Sequence, residues 1–301
     1  MGGATHICSD KTGTLTLNDM TVMACMTLGR SHTSDNFTDK LAREVHSATK
    51  EIAETSSGQT HWDKLVEAVL WNSSARLERN DGKDPKKPAA QFPWVTAGNV
   101  TEQGLLKFYM HILQGEGCVA KQGDLTEENV LCLVPFTSRR KRAAIVVRNP
   151  ALAGTGQEVR VYCKGAPDVL FPHCTHANAA GGATVDFQPG SEARRLYDDT
   201  VKAYAAQAYR TLLVTYRDMS LAEYEQLKAA NNGFAKDADR EVLETGLTAI
   251  GIFGLQDPLR PTIVASIKQC KAAGIQVIMC TGDNIDTAIA ISKNAGIVTP
   301  E

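Results

Sequence analysis

The chain opens on a short strand that runs into an acidic loop. It closes on helix, strand, loop and helix, and this split layout limits its fold more than any other feature. Thr5–Ser9 is a strand candidate that leads into Asp10, and Asp10–Thr16 is a threonine-rich loop around Gly13. At the far end, Pro261–Ala273 carries Ile263, Val264, Ile267 and Cys270 at helical spacing. Ile275–Cys280 is a continuous apolar run, as expected of a parallel strand covered on both faces. Ile285–Ala295 is a second helix, stopped by Gly296. These pieces build a small α/β domain only if the two ends meet, which leaves the middle, Met20–Thr248, as a large insertion.

The insertion mixes both periodicities. Thr21–Leu28, Leu131–Pro135, Ala143–Arg148, Val159–Lys164, Leu212–Tyr216 and Leu247–Leu255 read as strands, the last fully buried. Trp62, Leu65, Val66, Val69, Leu70 and Leu77 predict a helix over 62–78. Thr101–Leu113 is a second helix with Thr101 as N-cap, and Leu196–Ala208 a third. Asn80–Pro93, with three prolines, is a surface loop. A length of 301 residues suits two domains.

Composition removes several function classes. A net charge of −2 gives no footprint for nucleic acid. The longest apolar stretches, Leu247–Leu255 and Gly274–Cys280, fall far short of the ~20 residues that cross a bilayer. Met-Gly-Gly-Ala lacks a basic segment followed by an apolar core, so no signal peptide is expected. None of the eight cysteines forms a C-x-x-C pair, and buried free thiols are expected, as in Val161–Cys163 and Ile278–Cys280.

The chemistry gathers at the first loop. An acid at the carboxyl end of a strand sits where open α/β sheets present ligands. Gly13 and the threonines beside it offer N–H groups and hydroxyls to a tetrahedral anion. A carboxylate in such a pocket can ligate a metal or act as a nucleophile. An isolated D-x-T is more often a turn cap, but Asp10–Thr16 reads D-K-T-G-T-L-T over seven positions.

That string resembles the phosphorylation motif of the P-type ATPases, ion pumps within the haloacid-dehalogenase-like phosphotransferases. Three further segments resemble family motifs in the family's order: Lys164-Gly165-Ala166, Asp257-Pro258-Leu259-Arg260 and Thr281-Gly282-Asp283. The resemblance covers the whole chain. It implies a partial haloacid-dehalogenase-like Rossmannoid phosphorylation domain (1–19 and 251–301). A mixed α+β nucleotide-binding domain with an antiparallel sheet (20–250) interrupts it.

The resemblance also implies roles. Asp10 would take the γ-phosphoryl group of ATP, with Lys11 offsetting charge beside it. Mg²⁺ would be held by Asp10 and the Thr12 carbonyl. Thr14 and Thr281 would bond phosphoryl oxygens, with Gly282 in the same motif, and Asp283 would meet the nucleotide when the domains close. Phosphoryl transfer needs positioning and charge neutralisation of this kind. Phe136 would stack on adenine, which Glu102 would meet at its amino group. Lys164, Gly165 and Ala166 would receive ribose or phosphate, and Arg210 would bridge phosphates. Asp257 and Arg260 join the nucleotide set where the chain re-enters the phosphorylation domain. Arg139–Arg142 read alone could be a nucleic-acid patch; the resemblance favours phosphate attraction, with Lys141 the best match and Arg140 next.

Tyr209–Asp218 and Thr281–Ala288 look most like calcium pumps, the plasma-membrane type above the sarcoplasmic-reticulum type. The family pattern continues to G-D-G-x-N-D, which this chain lacks. The expectation is therefore a monomeric soluble segment that binds ATP without sustained turnover, from the cytosolic side of a membrane protein whose transported cation binds elsewhere. Two alternatives are a soluble phosphatase with a large cap, disfavoured by Thr12 where such enzymes carry a second Asp, and a non-catalytic nucleotide-binding module.

Overall fold

Alternating side chains that are apolar on both faces build the centre of this protein. The structure, a computed structural model, describes residues 3–33, 38–52, 58–82, 88–90, 93–282 and 285–298. In chain order the strands are β1 (His6–Asp10), β2 (Thr21–Thr27), β3 (Arg30–Thr33), β4 (Arg76–Arg79), β5 (Trp94–Ala97), β6 (Val130–Val134), β7 (Arg142–Arg148), β8 (Val159–Gly165), β9 (Cys174–Asn178), β10 (Thr184–Asp186), β11 (Arg210–Met219), β12 (Leu247–Gln256) and β13 (Gln276–Cys280). The helices are α1 (Thr38–Thr49), α2 (His61–Leu70), α3 (Val100–Gly123), α4 (Pro167–Leu170), α5 (Glu192–Ala206), α6 (Leu221–Ala230), α7 (Ile263–Ala272) and α8 (Ile285–Asn294).

Among the described residues, nine strands form one largely antiparallel sheet in the order β10-β9-β12-β11-β8-β7-β6, with β2 on β12 and β3 on β2. Its two faces follow the period of two. Ile145, Val147, Tyr162 and Val214 face one core with α1, α2 and α3. Ala144, Val146, Cys163 and Leu213 face a second core that takes in Tyr197 and Tyr204 of α5 and Tyr224 of α6. Each buried aliphatic or phenyl side chain there contributes about 1.5–3 kcal/mol. The apolar run of β12 is explained by this double burial, and the strand continues past the boundary expected at 250 until Gln256 pairs with Thr21.

Three expectations need correction. The helix predicted over 62–78 stops at Leu70. Asn72 turns away to donate to the carbonyls of Ala143 and Tyr162 at 3.0 and 3.3 Å, and Ser73 caps the Ala75 amide. Side chains of this kind compete with helical bonding. Leu77, the last residue of the apolar stripe, is buried from strand β4 instead. The cap of α3 is Asn99, whose side chain accepts from the amides of Thr101 and Glu102. The helix breaks at Gln114, one residue past its expected end, then resumes.

The third concerns the chain ends. β1 and β13 do pair in parallel, Asp10 opposite Cys280. β13 is covered on one face only: Val277 and Met279 pack with Ile267 and Ile263 of α7 and with Ala295, while Ile278 is 39% exposed. Cys280 lies on the open face and is exposed, whereas Cys163 is buried as expected. Among the described residues no helix is long and apolar enough to cross a membrane.

Candidate functional site

The Asp10–Thr16 loop is held by residues more than two hundred positions away. Asp10 ends β1, and Lys11–Leu15 forms one wide turn in which Gly13 takes φ +74°, a left-handed value that glycine tolerates. The Asp257–Arg260 segment clamps this turn. Arg260 donates from Nε to the Thr14 carbonyl at 3.0 Å and from Nη2 to the Gly13 carbonyl at 2.5 Å. Its amide donates to Leu15, and the Leu17 amide donates to Pro258. Thr16 Oγ1 donates to Asp257 Oδ2 at 2.6 Å and accepts from the Gly13 amide. Asp257 Oδ1 also accepts from the Asp19 amide. Asp257 and Arg260, expected to meet nucleotide, are thus engaged in shaping the loop.

Around that loop Lys11 is buried, while Thr12 and Thr14 are exposed. Thr281 and Gly282 follow the strand partner of Asp10, so the topology brings them to the same sheet end. Asp283 lies outside the described residues. The donor set that could take a cation here is the Asp10 carboxylate and the Thr12 carbonyl. Such hard oxygens suit Mg²⁺, which keeps several waters and shares phosphate oxygens. Among the described residues no group of three or more His, Cys, Asp or Glu side chains is gathered as a metal site.

A second group sits at one end of the large sheet, where β6 and β8 end and β7 and β11 begin. Lys164 of β8 is 4% exposed, and its ammonium lies 2.7 Å from Glu102 Oε1. The Glu102 carboxylate apart, Lys164 Nζ has no hydrogen-bond partner among the described residues. Burial pushes its pKa below the ordinary lysine value, and Glu102 offsets part of that. For Glu102, burial works the other way but is outweighed by Lys164 and Ser74, so its pKa lies below the usual glutamate value. Ser74 donates twice to Glu102 Oε2, from its amide at 2.8 Å and its hydroxyl at 2.6 Å. Arg210, exposed at the start of β11, donates to Thr101 Oγ1 at 3.2 Å.

Gly165 also has a packing role. A Cβ there would lie 2.6 Å from the Lys141 carbonyl and from Arg142 Cβ. The glycine therefore lets β7 start against β8, and the Ala166 amide donates to that same Lys141 carbonyl.

The loop between β6 and β7 carries the aromatic and the basic run. Phe136 is 58% exposed. The basic run alternates: Arg139 and Lys141 face outward, while Arg140 and Arg142 are buried. Glu244, fully enclosed, accepts from Arg140 Nη2 and from Arg142 Nε, the latter at 2.7 Å. Arg140, named as a phosphate contact, is thus committed to an internal ion pair, leaving Lys141 and Arg139 to meet an anion. Glu244, Ser74 and Thr101 escape sequence reading because none belongs to a recognisable string. The outcome is a flat exposed ring, an enclosed ammonium and an arginine at one sheet end, which suits an aromatic ligand bearing anionic groups.

Comparison with known proteins gives the chain a family. The family described as "P-type ATPase, cytoplasmic domain N" matches residues 61–262. Across its whole length the chain is 33% identical to calcium-transporting ATPase 3, plasma membrane-type, of Oryza sativa subsp. japonica, covering 25% of that protein. It is 32% identical to calcium-transporting ATPase PAT1 of Dictyostelium discoideum over 99% of the chain and 22% of that protein. It is also 32% identical to plasma membrane calcium-transporting ATPase mca-1 of Caenorhabditis elegans over 100% of the chain and 23% of that protein. The chain thus spans about a quarter of the length of the curated relatives it matches. With two thirds of its residues inside the family match, Phe136, Lys164 and Arg210 among them, the chain belongs to the P-type ATPase cytoplasmic domain N family.

Proposed function

We propose that this chain binds ATP at the Phe136–Lys164 end of the large sheet and presents Asp10 as the acceptor of its γ-phosphoryl group. The observation that carries the reading is the enclosed Lys164 ammonium beside the exposed Phe136 loop in a chain of this family. Phe136 takes the adenine face, and Lys164, Lys141 and Arg210 meet the negative groups. Gly165 and Ala166, where β8 ends, let ribose or phosphate approach the backbone in this reading. In transfer, an Asp10 carboxylate oxygen bonds to the γ-phosphorus as the bond to the β–γ bridging oxygen breaks, and ADP leaves with those electrons. Lys11, Thr14, Thr281 and Gly282 line the acceptor in this reading; Asp283, which lies outside the described residues, is assigned to the nucleotide. Asp10 and the Thr12 carbonyl would hold Mg²⁺, which would neutralise phosphate charge. Thr12, where a phosphatase would carry a second acid, supports a long-lived acyl phosphate.

The outer pieces, 1–19 and 251–301, form a haloacid-dehalogenase-like phosphorylation domain in this proposal, with 20–250 as the nucleotide-binding domain. The relatives' names support a calcium pump, so the segment lies on the cytosolic side of a membrane protein that moves Ca²⁺. Labelling the full-length pump with γ-phosphate-labelled ATP tests this. An acid-stable, hydroxylamine-sensitive label that disappears in Asp10→Asn is expected; a label that survives Asp10→Asn overturns the assignment.

A further inference from the structure

We infer that Ser74 is a positioning residue for the nucleotide site, acting through Glu102 on Lys164; the inference rests on the nucleotide reading above. Ser74 lies in the short loop between α2 and β4, about ninety positions from Lys164, and belongs to no motif. Both of its donors converge on a single oxygen of Glu102, at 2.8 and 2.6 Å. That occupies Oε2 and turns Oε1 toward the buried ammonium, 2.7 Å away. A carboxylate on a flexible side chain has no such preference by itself; two donors on one oxygen fix its rotation.

The loop that carries Ser74 is fixed in turn. The Ser73 hydroxyl accepts from the Ala75 amide at 3.0 Å, and Gln122 of α3 donates to the Ala75 carbonyl at 3.0 Å. Gly98, just before α3, packs so tightly that a Cβ there would lie 2.8 Å from the Ser74 carbonyl. The loop, the start of α3 and β8 therefore form one rigid chain of contacts that ends at the Lys164 ammonium. Without the Ser74 hydroxyl, Glu102 Oε2 keeps only the Ser74 amide as donor and the carboxylate can rotate, and Lys164 loses the fixed anion that holds it at the ligand face. Pre-organisation of this kind raises affinity by lowering the cost of ordering on binding.

The test is titration of this chain with a non-hydrolysable ATP analogue and Mg²⁺, for the parent, Ser74→Ala, Ser74→Thr, Glu102→Gln and Ser74→Ala/Glu102→Gln. Ser74→Ala is expected to weaken binding roughly three- to tenfold, the net size of one ordinary hydrogen bond, because the effect reaches the ligand indirectly through Glu102. Ser74→Thr restores the hydroxyl and the affinity. In the Glu102→Gln background Ser74→Ala should change little, because the residue it acts through is already altered. Parental affinity in Ser74→Ala overturns the inference, as does an equal loss in both backgrounds. Failure of the parent itself to bind the analogue is a different result: it overturns the nucleotide reading and this inference with it.

Discussion

Removing the Glu244 carboxylate should cost this protein more stability than any single change at the exposed Phe136 and Lys141 positions. Glu244 is fully enclosed between two guanidinium groups that are themselves 6% and 8% exposed. Its loss leaves two buried positive charges facing each other. Breaking a buried pair from one side costs about 3–5 kcal/mol, because the remaining charge is uncompensated. Glu241, half exposed and 3.9 Å from Arg142, takes up part of that charge, which places Glu244→Ala near the lower end. At roughly 2–4 °C per kcal/mol, a loss of about 3 kcal/mol lowers the melting temperature by roughly 6–12 °C. Calorimetry on the parent and variant measures this directly. Replacing all three residues with apolar ones (Arg140→Met, Arg142→Leu, Glu244→Leu) should regain most of the loss, since no charge is left unpaired. A Glu244→Ala melting temperature within about 2 °C of the parent would refute the buried-pair account. It would then return Arg140 to the list of residues available to phosphate.

Two further outcomes separate the site from its supports. Phe136→Ala should weaken ATP-analogue binding by roughly tenfold, within the range of about 1–3 kcal/mol for base–aromatic stacking, with little change in melting because the ring is exposed; a melting loss with unchanged affinity would contradict the stacking role. Glu102 has a folded pKa below its unfolded one, so the stability it contributes is present above the unfolded value and lost as pH falls through the folded value. The melting advantage of the parent over Glu102→Gln should therefore shrink between roughly pH 5 and pH 3; an advantage that is constant with pH would count against the Lys164 ion pair.

The legible parts of this fold are those whose cause is local. The double-sided apolar run of β12 announces a central strand, and the Asp10–Thr16 string announces the family. What stays hidden depends on partners far along the chain. Arg140 and Lys141 look equivalent in sequence, and only Glu244, about a hundred positions later, turns one inward and leaves the other outside. Asp257 and Arg260 belong to a recognisable motif, yet their bonds to Thr16, Gly13 and Thr14 arise only when the two chain ends meet. The overrun helix after Leu70 has the same origin: Asn72 finds sheet carbonyls that no helical pattern could forecast. Gly165 reads as a ligand glycine, and its packing against Lys141 and against Arg142 of the neighbouring strand is a role that no motif announces.

The account rests on nucleotide entering the sheet end at Lys164, and calorimetric titration of this chain with a non-hydrolysable ATP analogue in Mg²⁺ tests that entry. The prediction is a single saturating site with a dissociation constant in the millimolar range or tighter, abolished by Lys164→Glu and retained in Asp10→Asn. Absence of binding at millimolar nucleotide by the folded parent, or unchanged binding by Lys164→Glu, would contradict it.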